Sequence, residues 1–201
     1  MRFVYIHGFA SSPQSRKAMA FQSALAARGV LLDIPAMDQG DFAHLTISAQ
    51  LSLLERTIHE MPACLIGSSM GGFLAALYAA AHPETSRLVL LAPAFGFAPR
   101  WRKKIGVPSP ADFEVFHYGD KVLRRVNYGL IEDALTFPPT PDFAQPALIF
   151  HGINDDVVPV DNSRAFAASH PNARLVELDS DHELLNVLDR ITGEAVPFLL
   201  E

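Results

Sequence analysis

The chain lacks the features that mark several common classes of protein. Its 201 residues include a single cysteine, Cys64, so we expect neither an internal disulfide nor a Cys-rich zinc module. Its 16 basic residues are outnumbered by 22 acidic ones, and this net charge of −6 disfavours a nucleic-acid partner. The longest apolar run, residues 71–81, is too short to cross a bilayer, so we expect no stable membrane insertion.

No charged leader with a cleavage site is evident either, because Met1 and Arg2 are followed directly by the apolar segment 3–6. Apolar residues make up 49% of the chain and charged residues 19%, which is typical of a globular domain with a sizeable core. We therefore expect one cytoplasmic domain, residues 1–201. Cys64 lies in an apolar run, and we interpret it as a small buried residue.

Short apolar runs alternate along the chain with longer helical patterns. The runs are continuous, which is typical of strands buried on both faces of a parallel sheet. The predicted strands are residues 3–6, 30–34, 63–66, 87–91, 147–150 and 173–178. The predicted helices are residues 15–28, 46–60, 70–81, 162–169 and 184–200, the last broken at Pro197. This order predicts a doubly wound α/β fold, with helices on both faces of a mostly parallel sheet of about six strands.

About fifty residues, 95–144, separate two of the predicted strands, which is far more than an ordinary connection needs. We interpret this segment as an inserted lid with short helices around residues 111–116 and 120–128. Its aromatic side chains are candidates to bind an apolar acyl chain, although they would equally serve to pack the lid onto the body. We take as candidate substrate-binding residues Trp101, Phe116 and Tyr118.

Basic residues also cluster in the lid, on an otherwise acidic chain. Four of them flank Trp101: Arg100, Arg102, Lys103 and Lys104. Such a cluster attracts anionic substrates, for example the phosphates of an acyl-CoA, at long range. An ordinary solvated basic turn would have the same composition, and the sequence leaves both interpretations open.

The strongest chemical signal is the segment Gly67-Ser68-Ser69-Met70-Gly71-Gly72, which fits G-x-S-x-G with Ser69 at its centre. It follows a predicted strand and precedes a predicted helix, as the nucleophile elbow requires. The turn is sharp, so residues two positions from the serine must lack bulk, and Gly67 and Gly71 meet that need. Centring the turn on Ser68 would place Ile66 and Met70 at those positions. A simple helix-capping turn is the alternative.

A serine nucleophile needs a histidine to accept its proton and a carboxylate to orient that histidine. Two neighbouring aspartates, Asp155 and Asp156, follow the strand at 147–150. Of eight histidines, only His182 follows both this acid loop and the last predicted strand. We expect His151, which precedes a glycine at a strand end, to have a structural hydrogen-bonding role. No His-Glu-x-x-His pattern or other ligand cluster indicates a metal site.

An oxyanion hole needs two backbone N–H groups that point at the reacting oxygen. We expect one from Met70, the residue after the nucleophile, and one from Phe9 in the loop after the first strand. Gly8 precedes Phe9, which would let that loop pass close to the substrate.

These residues resemble those of the α/β-hydrolase superfamily over nearly the whole chain. The opening His-Gly-Phe-Ala-Ser-Ser-Pro is similar to that of the small bacterial YqiA-like esterases, and the H-G-x-x-D-x-x-V-P pattern at 151–159 resembles the superfamily's acid loop, which favours Asp155 as the acid. The resemblance implies serine esterase or thioesterase chemistry on a small acyl substrate. It also implies a trimmed α/β-hydrolase sheet with strand order 2-1-3-4-5-6.

The sequence therefore predicts a cofactor-free serine hydrolase that works through an acyl-enzyme, with Ser69 as nucleophile, His182 as base and Asp155 as the orienting acid. Two alternatives remain: a serine peptidase or amidase, and a non-catalytic hydrolase-fold protein whose lid binds a partner. The resemblance disfavours a dehalogenase, because those enzymes have an aspartate at the elbow.

Overall fold

The computed structural model describes residues 1–106 and 112–201. Among these, the strands in chain order are β1 (Arg2–Ile6), β2 (Ala63–Ser68), β3 (Thr85–Leu91), β4 (Phe113–His117), β5 (Val122–Val126), β6 (Ala147–Gly152) and β7 (Ala173–Leu178). The helices are α1 (Arg16–Ala26), α2 (Ile47–Ile58), α3 (Met70–Ala81), α4 (Phe97–Ile105), α5 (Gly129–Ala134), α6 (Val160–Ser169) and α7 (Leu188–Leu200).

The central sheet is parallel and has the strand order β1-β2-β3-β6-β7. Its five strands correspond to predicted strands, and their order agrees with the predicted one. The prediction of a strand at residues 30–34 was wrong: this segment forms only a single bridge, between Asp33 and Val4. Two backbone features prevent a longer strand here. The Val30 N–H donates to the Leu25 carbonyl at the end of α1, at 3.0 Å, and Pro35 has no N–H with which to continue the pairing.

Helices cover both faces of the sheet because successive strand residues point to opposite sides. In β2, Leu65 belongs to one apolar layer and Ile66 to the other. The first layer packs under α2, α3 and α6, and the second under α1 and α7. Cys64 is buried in the second layer, and burial raises the pKa of its thiol to about 11.

The predicted break of the last helix at Pro197 was also wrong. Helix α7 continues through Pro197 to Leu200. The proline costs one backbone hydrogen bond, but Val196 and Leu199 beside it are buried, so packing holds the final turn against the sheet.

The insertion, residues 95–144, contains a β-hairpin where helices were predicted. Strands β4 and β5 pair antiparallel over residues 113–117 and 122–126; residue 111, the start of one predicted helix, lies outside the described part of the chain. The segment alternates with period two: Phe113, Val115 and His117 are at least partly buried, whereas Glu114 and Phe116 are exposed. That alternation suits one face of a hairpin and not a helix.

The hairpin lies against the loop that follows β1 and against the segment between α1 and α2. The Tyr118 N–H donates to the Ala10 carbonyl at 2.7 Å, and the Asn127 N–H donates to the Ala43 carbonyl at 2.7 Å. The ring of His117 packs edge-on against Phe42, with centroids 4.8 Å apart. The insertion is thereby attached beside the carboxyl end of the sheet, where the candidate site is formed.

Candidate active site

Ser69 occupies the turn between β2 and α3 with a strained backbone. Its φ of 54° and ψ of −116° are unusual for a residue other than glycine. Hydrogen bonds hold the turn in place: the Ser69 N–H donates to the Leu91 carbonyl at 2.8 Å, and the Ala94 N–H donates to the Ser69 carbonyl at 3.0 Å. The turn therefore presents the serine side chain at the carboxyl edge of the sheet.

Two glycines make this turn sterically feasible. A Cβ on Gly67 would lie 2.3 Å from the Gly71 carbonyl oxygen, and a Cβ on Gly71 would lie 2.0 Å from the Ile6 carbonyl oxygen. Neither contact is tolerable, because both neighbours are backbone atoms. The G-x-S-x-G pattern is thus explained by close backbone approach on both sides of Ser69.

The structure brings together the three residues of the predicted triad. His182 Nε2 lies 3.1 Å from Ser69 Oγ, and His182 Nδ1 lies 2.7 Å from Asp155 Oδ2. Since the carboxylate can only accept, the Nδ1 proton is donated to Asp155 and the Nε2 lone pair faces the serine hydroxyl. Asp156, the neighbouring candidate acid, is exposed to solvent, and Ser68 is buried at the end of β2.

The carboxylate of Asp155 is fully buried and accepts several hydrogen bonds. Its Oδ1 accepts from the N–H groups of Val157 at 2.9 Å and Val158 at 2.8 Å. Burial alone would raise the pKa of Asp155. The hydrogen bonds from His151, His182 and the Val158 amide outweigh that effect and hold its pKa below the usual range, so the group is ionised at neutral pH.

The two N–H groups predicted for the oxyanion hole are unoccupied. Within the described part of the chain, the amides of Phe9 and Met70 donate no hydrogen bond. Met70 is the first residue of α3, where the helix dipole adds partial positive charge. A Cβ on Gly8 would lie 3.4 Å from the Ser69 Cβ, which shows how closely the loop after β1 approaches the serine.

His7 fixes the conformation of that loop. Its Nδ1 donates to the Gly8 carbonyl at 2.9 Å, and its Nε2 accepts the Met37 N–H at 3.2 Å. This pair of contacts requires the neutral imidazole, and burial lowers the pKa of His7, which keeps the ring neutral. His7 therefore has a structural role: it holds the segment that carries the Phe9 amide.

Of the three candidate substrate-binding residues, Trp101 is the one that packs against the loop carrying a predicted oxyanion-hole amide. Its ring packs edge-on against Phe9, with centroids 5.2 Å apart. Phe116 and Tyr118 are 46% and 67% exposed, and their rings contact each other. Their placement follows from the period-two alternation of β4, which turns the neighbouring Phe113 toward Trp101 instead.

Sequence reasoning missed the part that His151 plays beside the acid. Its Nε2 lies 3.2 Å from Asp155 Oδ2, and its side chain is completely buried. The spacing of four residues between the two was visible in the H-G-x-x-D pattern. Lys17 was missed altogether: its side chain is buried near the histidine loop, with Nζ 3.8 Å from Glu183 Oε2, and nothing in the pattern of α1 sets this lysine apart.

The described residues offer neither a candidate metal site nor a candidate membrane-spanning helix. No group of three or more His, Cys, Asp or Glu side chains there is arranged to hold a metal ion. No helix in residues 1–106 or 112–201 is both long and apolar enough to cross a membrane.

Solved structures with the same architecture match nearly the whole chain. Est1E from Butyrivibrio proteoclasticus with bound ferulic acid is 23% identical with a TM-score of 0.85, covering 98% of this chain and 87% of that one. Mouse alpha/beta hydrolase domain-containing protein 10 is 20% identical with a TM-score of 0.81, covering 98% and 88%. Monoacylglycerol lipase from Paleococcus ferrophilus is 17% identical with a TM-score of 0.78, covering 98% and 93%.

The parallel sheet, its helices on both faces and these structural matches define an α/β-hydrolase fold. Within that class, the chain belongs to the uncharacterised protein family UPF0227, whose model matches residues 2–198. This match confirms the resemblance to the YqiA-like group. A comparison with curated proteins gives no significant match.

Proposed function

We propose that this protein is a serine hydrolase that cleaves carboxylic esters through an acyl-enzyme. The observation that carries the proposal is the continuous hydrogen-bonded series from Ser69 Oγ to His182 Nε2, at 3.1 Å, and from His182 Nδ1 to Asp155 Oδ2, at 2.7 Å. A nucleophile, a base and an orienting acid in this order are what acyl transfer by serine requires.

In the acylation step, Ser69 Oγ attacks the acyl carbon and its proton moves to His182 Nε2. The imidazolium that results is stabilised by the ionised carboxylate of Asp155. The oxygen of the tetrahedral intermediate takes hydrogen bonds from the unoccupied amides of Phe9 and Met70. The intermediate then collapses: the bond to the alcohol oxygen breaks, and His182 gives its proton to the departing alkoxide.

Deacylation repeats these steps with water as the nucleophile. His182 accepts a proton from the water as the water oxygen attacks the acyl-serine, and the same two amides hold the second oxyanion. Collapse returns the proton to Ser69 Oγ and releases the carboxylic acid. Every proton is carried by His182, so the proposal needs no cofactor.

The assignment to esters is supported by the activities named for structures of the same fold. Among the similar structures are an esterase domain from Rhodothermus marinus and the monoacylglycerol lipase and Est1E named above. Thioesters use the same acyl chemistry and remain within the proposal. A peptidase or amidase would need the same triad to expel an amine, and no feature of the site favours that harder leaving group.

The test is covalent labelling with a neutral fluorophosphonate, together with hydrolysis of 4-nitrophenyl butanoate. We expect one adduct, located on Ser69, and loss of about a millionfold in kcat in Ser69→Ala. Ser68→Ala is the matched control, because Ser68 is adjacent and buried but lies outside the triad. It should be labelled and should turn over like the wild type.

Three results would contradict the proposal. Retention of activity in Ser69→Ala would assign the nucleophile elsewhere. Absence of both labelling and turnover in the folded wild-type protein would favour the alternative of a non-catalytic binding protein. Turnover of a butanoyl amide as fast as the ester would redirect the assignment to an amidase.

A further inference from the structure

Arg100 differs from the other basic residues of the insertion in its position relative to the site. It lies in α4, which starts a few residues after the carboxyl end of β3, at the same edge of the sheet as Ser69. The next residue, Trp101, packs against Phe9, whose amide we assign to the oxyanion hole. Arg100 is therefore one residue from the aromatic wall of the candidate site.

The guanidinium of Arg100 has donors that no protein group uses. Its Nη1 is buried from solvent and has no hydrogen-bond partner among the described residues. No carboxylate of those residues forms an ion pair with it either. A charged donor that is buried without an acceptor is costly, and in native structures such groups are rare. Arg102, Lys103 and Lys104, in contrast, are exposed to solvent.

The charges around Arg100 leave its guanidinium without a partner in the described part of the chain. Burial lowers the pKa of Arg100, and the negative charge of Asp155 acts on that pKa in the opposite direction. Asp155 cannot serve as its partner, because both carboxylate oxygens already accept hydrogen bonds from His182, His151 and the 157–158 backbone. The guanidinium thus has no anionic partner among the described residues.

We propose that Arg100 binds an anionic group, a carboxylate or a phosphate, carried by the ester substrate. This inference rests on the proposed function and narrows the substrate class to anionic esters. An arginine suits the role because its planar donors pair with two oxygens of such a group at once. The exposed Arg102, Lys103 and Lys104 would contribute only a long-range attraction that salt screens.

The experiment compares two pairs of esters in which a carboxylate oxygen is replaced by a methyl group. The first pair, 4-carboxyphenyl butanoate and 4-acetylphenyl butanoate, carries the charge on the alcohol side. The second pair, monoethyl adipate and ethyl 6-oxoheptanoate, carries it on the acyl side. For each pair, the ratio of kcat/KM for the anionic ester to that for the neutral ester is measured in wild type, Arg100→Gln, Arg100→Lys and Arg102→Gln.

We expect the anionic-to-neutral ratio to fall about ten- to a hundredfold in Arg100→Gln for one pair, which identifies the side that carries the charge. Arg100→Lys should recover part of the ratio, since a lysine keeps the charge but loses the two-point contact. Arg102→Gln, on the same helix but exposed, should change the ratio by less than about threefold, and about 1 M salt should abolish that change. An unchanged ratio in Arg100→Gln for both pairs, or an equal loss in Arg102→Gln, would overturn the inference.

A binding measurement separates this inference from the proposed function. In Ser69→Ala protein, calorimetric titration should give a lower dissociation constant for 4-carboxyphenyl butanoate than for 4-acetylphenyl butanoate. The additional substitution Arg100→Gln should remove this difference in affinity. If the wild type hydrolyses none of the four esters and Ser69 resists the fluorophosphonate, the proposed function fails, and the titration alone decides the role of Arg100. If esters are hydrolysed but the titration shows no preference for the anion, the inference about Arg100 fails.

Discussion

The imidazole of His151 lies 3.2 Å from the carboxylate of Asp155, so this acid contacts two histidines through one oxygen, Oδ2. The Nε2 atom of His151 is also 2.9 Å from the Val158 carbonyl oxygen. Both neighbours are acceptors, so Nε2 carries the proton, and Nδ1 accepts the hydroxyl of Ser163 at 2.7 Å. His151 therefore acts on His182 only through Asp155, which makes it a positioning residue.

Replacing His151 by phenylalanine should impair both activity and stability at neutral pH. The ring volume is kept, but Asp155 and the Val158 carbonyl lose a donor, which costs about 1–3 kcal/mol of unfolding free energy. Asp155 has a depressed pKa in the folded state, so its ionisation stabilises the fold above its unfolded pKa and that contribution is lost as pH falls through the folded pKa. Without His151 the depression is smaller, so urea unfolding should show a smaller loss of stability on acidification, and that loss should end at a higher pH because the folded pKa of Asp155 is less depressed.

Two variants separate this role from simple packing. His151→Gln keeps a side-chain donor and should retain more activity than His151→Phe. Ser163→Ala removes the hydroxyl from the far side of the ring without touching Asp155, so it should leave the pH dependence of urea unfolding unchanged. If His151→Phe and Ser163→Ala change that pH dependence equally, the contact between His151 and Asp155 does not explain the effect.

The acylation rate should depend on the ionised carboxylate of Asp155, which holds the imidazole of His182 in the tautomer that accepts the serine proton. The depressed pKa of Asp155 keeps that carboxylate ionised at neutral pH. Single-turnover kinetics on a 4-nitrophenyl ester measure the effect of removing its charge. Asp155→Asn should be slower by about four orders of magnitude, since the wrong imidazole tautomer is favoured.

Asp156→Asn is the control for the choice between the two adjacent acids. Asp156 is exposed and makes no hydrogen bond through its side chain in the described structure, so its replacement should leave the acylation rate within about twofold. A crippled Asp156→Asn beside an active Asp155→Asn would reverse the assignment.

Much of the fold could be predicted because it depends on local pattern. Helix α3 was predicted at 70–81, the bounds that the structure shows, because the glycines of the elbow fix where β2 ends and the helix begins. The order of serine, acid and histidine along the chain, each after a parallel strand, also indicated that they meet at one edge of the sheet. That geometry was predictable because carboxyl ends of parallel strands share an edge.

The rest depends on tertiary packing. The segment 30–34 is as apolar as a strand, but only Asp33 is aligned with β1. Trp101 and Phe116 both appeared as lid aromatics, and the face each presents depends on whether its segment is a helix or a hairpin. The buried, unpartnered Nη1 of Arg100 has no local signal, since three neighbours of the same charge are exposed.

Adding a single methyl group at the elbow should destabilise the protein strongly. In Gly71→Ala the new Cβ would lie 2.0 Å from the Ile6 carbonyl oxygen, so β1 and α3 would have to separate. We expect a loss of about 3 kcal/mol in unfolding free energy, measured by urea denaturation, and loss of ester hydrolysis. Gly193→Ala is the matched control: in α7 a Cβ there meets nothing within 4 Å, and helix propensity favours alanine by about 1 kcal/mol. A Gly71→Ala protein as stable as Gly193→Ala would refute the steric account.

Trp101 and the two exposed hairpin aromatics should differ in their effect on catalysis. Trp101 packs on Phe9 beside the candidate oxyanion hole, so Trp101→Ala should lower kcat/KM for a butanoyl ester by about tenfold, or about 1.4 kcal/mol, mainly through KM. Phe116→Ala and Tyr118→Ala should stay within about twofold, because those rings are largely exposed and contact mainly each other. Thermal unfolding of all three variants would establish that they are folded. A tenfold loss in Phe116→Ala or Tyr118→Ala with Trp101→Ala unaffected would mean that the outer face of the hairpin, and not the Phe9–Trp101 wall, receives the acyl chain.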